Sequence, residues 1–260
     1  MRNTAMAETM GARFLAPAAA ALCLLAVGCG KRQASPSADR EAADEAPASP
    51  AGAAGAPLVH YPFDGNAEDA GPNGLDGTMS GPKPVEGRVK KALQFDGTDD
   101  HVEIPQEAFN NLPAGSVAFW VRPEAYACDV FYKETYNPTT ISGIRINDDG
   151  TVQATHNNFG IALGGDPEDI IGDTSIPQGE WTHIVWTWDG NTARLYVNGA
   201  LDATRETNQG VADDAGQAKW VRWGRGDSHF AGALDDIWIL NRAVKEQDVN
   251  RLHAGSAPGM

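Results

Sequence analysis

The stretch WTHIVWTWDGNTARLYVNG, residues 181–199, decides the fold of this 260-residue chain. Its side chains alternate between polar and apolar along 183–188 and again along 193–197, which is the period of a β-strand. An Asp-Gly pair separates the two segments and an Asn-Gly pair follows the second, and such pairs accept the positive φ angles of tight hairpin turns. The stretch therefore predicts antiparallel strands joined by hairpins.

Similar patterns recur in ALQFDGTDDHVEI (92–104) and GALDDIWI (232–239). Many short strands with turn residues about every 8–12 positions are typical of sandwiches and barrels. One helix is predicted over 245–253, with Gly255 as its stop. We therefore predict an all-β domain with one short C-terminal helix. The candidate strands cover residues 59–63, 93–95, 101–104, 116–122, 129–133, 141–146, 151–155, 183–188, 193–197, 219–223 and 233–240.

The N-terminal 28 residues have the organisation of a secretion signal. Basic residues flank an apolar run over 14–27, which is too short to span a bilayer comfortably. The run ends in AVGC (26–29), which resembles the lipobox of bacterial lipoproteins, where the signal is removed and the cysteine is acylated. We predict a lipoprotein signal peptide over 1–28 and lipidation of Cys29. An ordinary secretory signal with an incidental cysteine is the alternative.

The folded domain is predicted to cover residues 58–260. We predict that residues 29–57 comprise the lipidated cysteine and a disordered tether, because the Ala- and Pro-rich segment after Cys29 has no aromatic residue and no aliphatic residue larger than alanine. Of the three cysteines, Cys128 alone falls within the domain, so the domain cannot form an internal disulfide.

The formal net charge of −15 argues against nucleic acid or anionic lipid as the main partner, because both select for lysine and arginine. Contact with the membrane is predicted through the acyl anchor only. The expected location is the bacterial cell envelope, either periplasmic or surface-exposed.

Six motifs follow one another in a recognisable order: YPFDGN (61–66), GLDG (74–77), GRVKKALQFDG (87–97), VAFWVRP (117–123), GEWTH (179–183), and LDDI (234–237) followed by NRA (241–243). Together they resemble the LamG-like jelly roll of the concanavalin A-like lectin/glucanase superfamily. The resemblance covers about residues 58–253 and implies a jelly-roll sandwich of two antiparallel sheets. It also implies binding of glycans or proteins, or an accessory role, and the fold alone does not choose among these.

The same resemblance implies a structural Ca²⁺ site. The matching positions are Asp64, Asp235 and the backbone oxygen of Gly97, and carboxylate and carbonyl oxygens are the ligands that Ca²⁺ prefers. Strand alternation places Asp235 on the same face as Ile237 and Ile239. The alternative is that Asp64 and Asp235 cap turns or meet water or arginine.

Aromatic residues divide into core and ligand candidates. Trp186 and Trp188 share one strand face with an isoleucine, which indicates the core. The predicted glycan-binding residues lie in the variable loops, where exposed rings can stack on sugars. They are Tyr132, Tyr136, Trp220 and Trp223. Local packing of these rings is the alternative.

No catalytic residue is assigned. Glucanases of the superfamily that this sequence resembles carry a Glu-aliphatic-Asp-x-Glu run that places two carboxylates on one strand face, and no such run is present.

The RGDS sequence at 225–228 matches a cell-adhesion motif that is short and frequent by chance. The sequence thus favours an envelope-anchored, non-catalytic module that binds carbohydrate and holds a structural calcium ion. The alternative is a structural or accessory envelope protein that binds an envelope or extracellular protein through the same sandwich.

Overall fold

A computed structural model describes residues 57–135, 141–157, 168–207 and 218–259. These residues form two antiparallel sheets and one α-helix, which confirms the predicted all-β sandwich with a short C-terminal helix. The strands are β1 (Pro57–Tyr61), β2 (Thr78–Ser80), β3 (Lys83–Glu86), β4 (Lys91–Asp96), β5 (His101–Glu103), β6 (Gly115–Pro123), β7 (Cys128–Thr135), β8 (Ile141–Ile146), β9 (Thr151–Asn157), β10 (Glu168–Ser175), β11 (Thr182–Trp188), β12 (Thr192–Val197), β13 (Ala200–Glu206), β14 (Ala218–Trp223) and β15 (Ala231–Leu240). A 3₁₀ turn (Gln106–Phe109) precedes β6, and α1 is Glu246–His253.

The eight-stranded sheet has the order β13-β12-β11-β6-β15-β4-β3, with β1 also paired to β15. The seven-stranded sheet has the order β10-β9-β8-β7-β14-β5-β2. The predicted hairpin after Trp188 is present, since β11 pairs with β12 from Ile184 opposite Val197 to Trp188 opposite Ala193.

Four strands were not expected from the sequence, namely β2, β3, β10 and β13. They are the first and last strands in the order of each sheet. Edge strands bury less of their surface, so they do not need the apolar alternation that marks a central strand. For example, the side chains of β13 are all exposed or only partly buried.

The core lies between the sheets and is rich in aromatic rings. Trp186 and Trp188 are buried there, as predicted. The ring of Phe131 lies 4.6 Å from that of Trp223, and Phe119 contacts Trp223 at 5.3 Å between ring centroids. Such edge-to-face and tilted contacts add to the stabilisation that burial of apolar area provides.

The helix α1 covers part of the outer face of the eight-stranded sheet. Val249 and Leu252 of α1 form a second apolar cluster with Val185 and Trp238 of the sheet. Acidic residues occupy the first turn of α1 and basic residues the last, which complements the helix dipole. In the described part of the chain, no helix has the length and apolar character needed to cross a membrane.

Candidate functional site

An aromatic pair lies on the outer face of the seven-stranded sheet. Tyr132 of β7 and Trp220 of β14 have ring centroids 5.3 Å apart. Because Val221 and Trp223 point into the core, strand alternation directs Trp220 outward. The ring of Trp220 is partly exposed, whereas Tyr132 is 8% exposed.

Two ion pairs surround the indole of Trp220. The guanidinium of Arg222 lies 4.8 Å from the centre of the Trp220 ring, within the range of a cation–π contact. Arg222 also donates from Nε (3.0 Å) and Nη2 (2.7 Å) to Oε2 of Glu103 on β5. Lys219 pairs with Glu134, which lies opposite Trp220 in the ladder. The contacts of Arg222 and Tyr132 with the indole restrict its orientation.

The RGDS loop, residues 225–228, packs beside this aromatic pair. Tyr132 donates its hydroxyl to Asp227 at 3.2 Å, and Ser228 donates from its backbone N–H and hydroxyl to Asp129 at 2.8 and 2.9 Å. Burial and the neighbouring Asp227 carboxylate raise the pKa of Tyr132, so its hydroxyl stays protonated. A Cβ on Gly226 would lie 2.7 Å from both Asp129 and Tyr132, so only glycine fits there. The loop therefore belongs to the folded surface, with its acidic side chain bonded internally.

The structure brings together two of the four aromatic residues that we predicted to bind ligand. Tyr132 and Trp220 share one face, but they lie on strands and not in variable loops. Trp223 is fully buried between Phe119 and Phe131, which corrects its assignment as a ligand residue. The odd spacing of three positions from Trp220 places it on the opposite face of β14. Tyr136 lies outside the described residues, as does Cys29.

Sequence reasoning missed the charged residues of this face. Arg222 was detectable in principle, because it lies two positions after Trp220 and so shares its face. Glu103 and Glu134 carry no local signal, because they come from other strands and only the sheet register places them beside β14.

Asp235 lies on the outer face of the eight-stranded sheet, opposite Trp120. The alternation pattern predicted that Asp235 shares a face with Ile237 and Ile239. This prediction is wrong, because a bulge interrupts the register between Asp235 and Trp238. Asp236 adopts a φ of 49° within the bulge. Asp235 is nevertheless fully buried.

The carboxylate of Asp235 anchors the turn between β3 and β4. Its Oδ2 accepts hydrogen bonds from the backbone N–H groups of Arg88 and Val89, both at 2.7 Å. Its Oδ1 is buried without a hydrogen-bond partner in the described part of the chain. Burial, together with the nearby carboxylates of Asp236 and Asp64, raises the pKa of Asp235 to about 7 against the effect of these two donors.

The residues implied for calcium do not fit as one ligand set. Asp64 lies near the same turn, where it accepts from Lys90 Nζ at 2.9 Å and from the backbone N–H of Lys91 at 3.2 Å. Gly97 instead follows Asp96, which pairs with Ala231 of β15. Ala231 is four residues before Asp235, which is about 13 Å along the strand at about 3.3 Å per residue. Asp64 and Asp235 therefore accept donors from a turn, which was the alternative interpretation.

Gly97 belongs to a loop with a different group of carboxylates. Oxygen atoms of Asp96, Asp99 and Asp100 lie within 4.8 Å of one another. Asp96 Oδ1 also accepts the backbone N–H of Thr98 at 2.8 Å. Calcium stays a prediction of the resemblance, and this loop is where the described residues offer converging oxygen ligands.

Comparison with known proteins identifies the family. The Laminin_G_3 family model, described as the concanavalin A-like lectin/glucanases superfamily, matches residues 96–250. The chain therefore belongs to this superfamily. None of the curated protein sequences compared with the chain matches it.

Solved structures share the fold at low sequence identity. Domain 4 of AbnA, a GH43 extracellular arabinanase from Geobacillus stearothermophilus solved with arabinotriose, superposes with a TM-score of 0.64 at 21% identity, covering 76% of this chain and 98% of that domain. The binding domain of Paraclostridial Mosquitocidal Protein 1 gives 0.59 at 19% identity, covering 77% of this chain and 52% of that one. The botulinum neurotoxin serotype G binding domain gives 0.57 at 14% identity, covering 76% and 50%. This chain thus spans about half the length of the two toxin domains.

Proposed function

We propose that the protein is a non-catalytic carbohydrate-binding module, held at the bacterial cell envelope by an acyl group on Cys29. The observation that carries the proposal is the outward-facing Trp220, supported by Tyr132 and flanked by Arg222 and Glu103. A partly exposed ring beside fixed polar groups offers a ligand both an apolar surface and hydrogen-bonding partners.

The arrangement suits a sugar in two ways. The apolar face of a sugar ring can pack on the indole of Trp220, which loses little entropy because Arg222 already fixes the ring. Sugar hydroxyl groups can bond to carboxylates and guanidinium groups at the margin of the ring, since both groups retain unused acceptors or donors. The arabinanase domain that shares the fold was solved with arabinotriose, which gives this reading further support.

The absence of catalysis is part of the proposal. Glycoside hydrolysis needs one protonated carboxyl group beside an ionised one. On the Trp220 face, Glu103 and Glu134 are each engaged by a basic side chain, Arg222 and Lys219 respectively. Asp235, whose pKa is raised to about 7, lies on the other sheet.

The test is glycan-array binding of the purified protein and of two variants, Trp220→Ala and Trp181→Ala. Trp181 is a matched control because it is also partly exposed with an arginine, Arg122, over its ring at 5.1 Å, but it precedes β11 of the other sheet. We expect Trp220→Ala to weaken binding of the best glycan at least about tenfold, or about 1.4 kcal/mol, and Trp181→Ala to leave it unchanged. Equal losses in both variants, or none in either, would refute the assignment.

A second candidate function is assembly with an envelope protein. Ile171 on β10 and Leu201 on β13 are 52% and 57% exposed. The two edge strands are adjacent, because Thr174 donates its backbone N–H to Asp202 at 3.1 Å. Exposed apolar side chains on neighbouring edges suit a protein partner. Substitution Leu201→Ser that abolishes a specific protein complex but preserves glycan binding would favour this function.

A further inference from the structure

We propose that the Trp220 face binds uncharged sugars and rejects acidic ones, such as glycans containing uronic or sialic acid, because the arginine and lysine side chains on its strands are already paired with carboxylates and the face carries surplus negative charge. The inference rests on the proposed function, since it names the ligand class of the same face.

Each outward-facing arginine and lysine on the described strands of the seven-stranded sheet has an acidic partner, whereas Arg225 of the adjacent RGDS loop forms no ion pair among the described residues. Arg222 binds Glu103 at 2.7 Å, and Lys219 binds Glu134. The third pair is looser, with Arg145 Nη1 3.8 Å from an oxygen of Asp129. An acidic sugar therefore finds no unpaired arginine or lysine on the outward face of these described strands.

Two further carboxylates on this side of the sheet have neutral partners. Asp169 accepts from Gln153 Nε2 at 2.9 Å and from the hydroxyl of Thr155 at 2.7 Å. Asp227 accepts from Tyr132. The described face consequently carries surplus negative charge, in a chain whose formal net charge is −15. To reach a basic group on these strands, a sugar carboxylate would have to displace a protein carboxylate and approach this field, and like charges brought together oppose binding.

Uncharged hydroxyl groups do not have to displace a protein carboxylate, and the negative charge of the face does not repel them. A carboxylate offers about four lone-pair positions and a guanidinium five N–H groups, so each ion pair keeps capacity for additional hydrogen bonds. The side chain of Glu103 is 46% exposed, which leaves its second oxygen within reach of solvent or ligand. Hydroxyls can therefore join the Arg222–Glu103 pair without breaking it.

The first experiment compares neutral arabino-, xylo-, gluco- and galacto-oligosaccharides with oligogalacturonates and sialylated glycans on one array, at low and at physiological salt. We expect binding of at least one neutral class that Trp220→Ala removes, and no acidic glycan within about tenfold of it at low salt, where charge effects are strongest. Trp220-dependent binding of an acidic glycan overturns this inference and leaves the proposed function intact. Binding of no glycan in any class overturns both.

The second experiment tests the physical cause with Glu103→Gln, which frees Arg222 from its carboxylate. We expect oligogalacturonate binding to increase about fivefold at low salt, the size expected for one exposed charge pair. The control is Glu180→Gln, which makes the same charge change at an exposed position outside this face. Equal effects of the two variants, or no gain with Glu103→Gln, overturn the inference that paired charges exclude acidic sugars.

Discussion

Replacement of Asp235 by asparagine should change how the stability of the protein depends on pH. Asparagine keeps a side-chain oxygen for the backbone N–H groups of Arg88 and Val89 and removes the ionisable group. The folded protein raises the pKa of Asp235 from 3.8 to about 7, so the folded state holds this proton more tightly than the unfolded state does. The stabilisation is therefore fully present below about pH 4 and is lost as the pH rises through about 7.

The size of the effect follows from the shift in pKa. Each unit corresponds to about 1.36 kcal/mol, so a shift of about three units sets an upper limit of about 4 kcal/mol. The side chain is fully buried, but the neighbouring turn carries lysines and faces solvent, which reduces the effect. We expect the stability of Asp235→Asn relative to the parent protein to increase by about 1–3 kcal/mol between pH 5 and pH 8.

Urea unfolding followed by tryptophan fluorescence at pH 5, 6, 7 and 8 measures this difference. Asp173→Asn serves as the control, because Asp173 is exposed on β10. Subtraction of the parent curve at each pH removes the contribution of other titrating groups. A relative stability that stays constant, or that falls as the pH rises, would refute the reasoning.

Two further predictions concern the core and calcium. Trp223→Ala should destabilise the protein by about 3–5 kcal/mol in urea unfolding, because it leaves a cavity in the core. Trp220→Ala should change stability by less than about 1 kcal/mol, because its ring is partly exposed. Similar losses for both variants would contradict the placement of the two rings. If calcium binds at the loop of Asp96, Asp99 and Asp100, adding calcium to the chelated protein should raise its Tm more than adding magnesium does. Asp99→Asn should remove this difference between the two ions, and Asp64→Asn should leave it unchanged. A Tm unaffected by either chelation or calcium would contradict the calcium prediction.

The central strands were predictable from the sequence, and the edge strands were not. Segments such as β6 and β11 bury nearly all their side chains, so their apolar pattern is strong. The edge strands β2, β3, β10 and β13 have one unpaired side, and polar or exposed residues are acceptable there. Their positions depend on neighbouring strands more than on their own residues.

Alternation failed where the backbone departs from a regular strand. The bulge at Asp236 moves Asp235 to the outer face of its sheet, although its sequence neighbours Ile237 and Ile239 point into the core. Alternation was informative in β14, where it separates Trp220 from Trp223, but it requires the strand to be recognised as continuing through both residues.

The sequence by itself determined the fold class, the buried faces of the central strands and the family motifs, because these depend on local periodicity and turn chemistry. The tertiary structure decided which side chains meet on the Trp220 face. Glu103, Tyr132 and Arg222 come from β5, β7 and β14, which are neighbours in the sheet but distant in the chain. Register between such strands is set by packing of the whole sandwich, since a shift of one residue would turn every side chain to the opposite face.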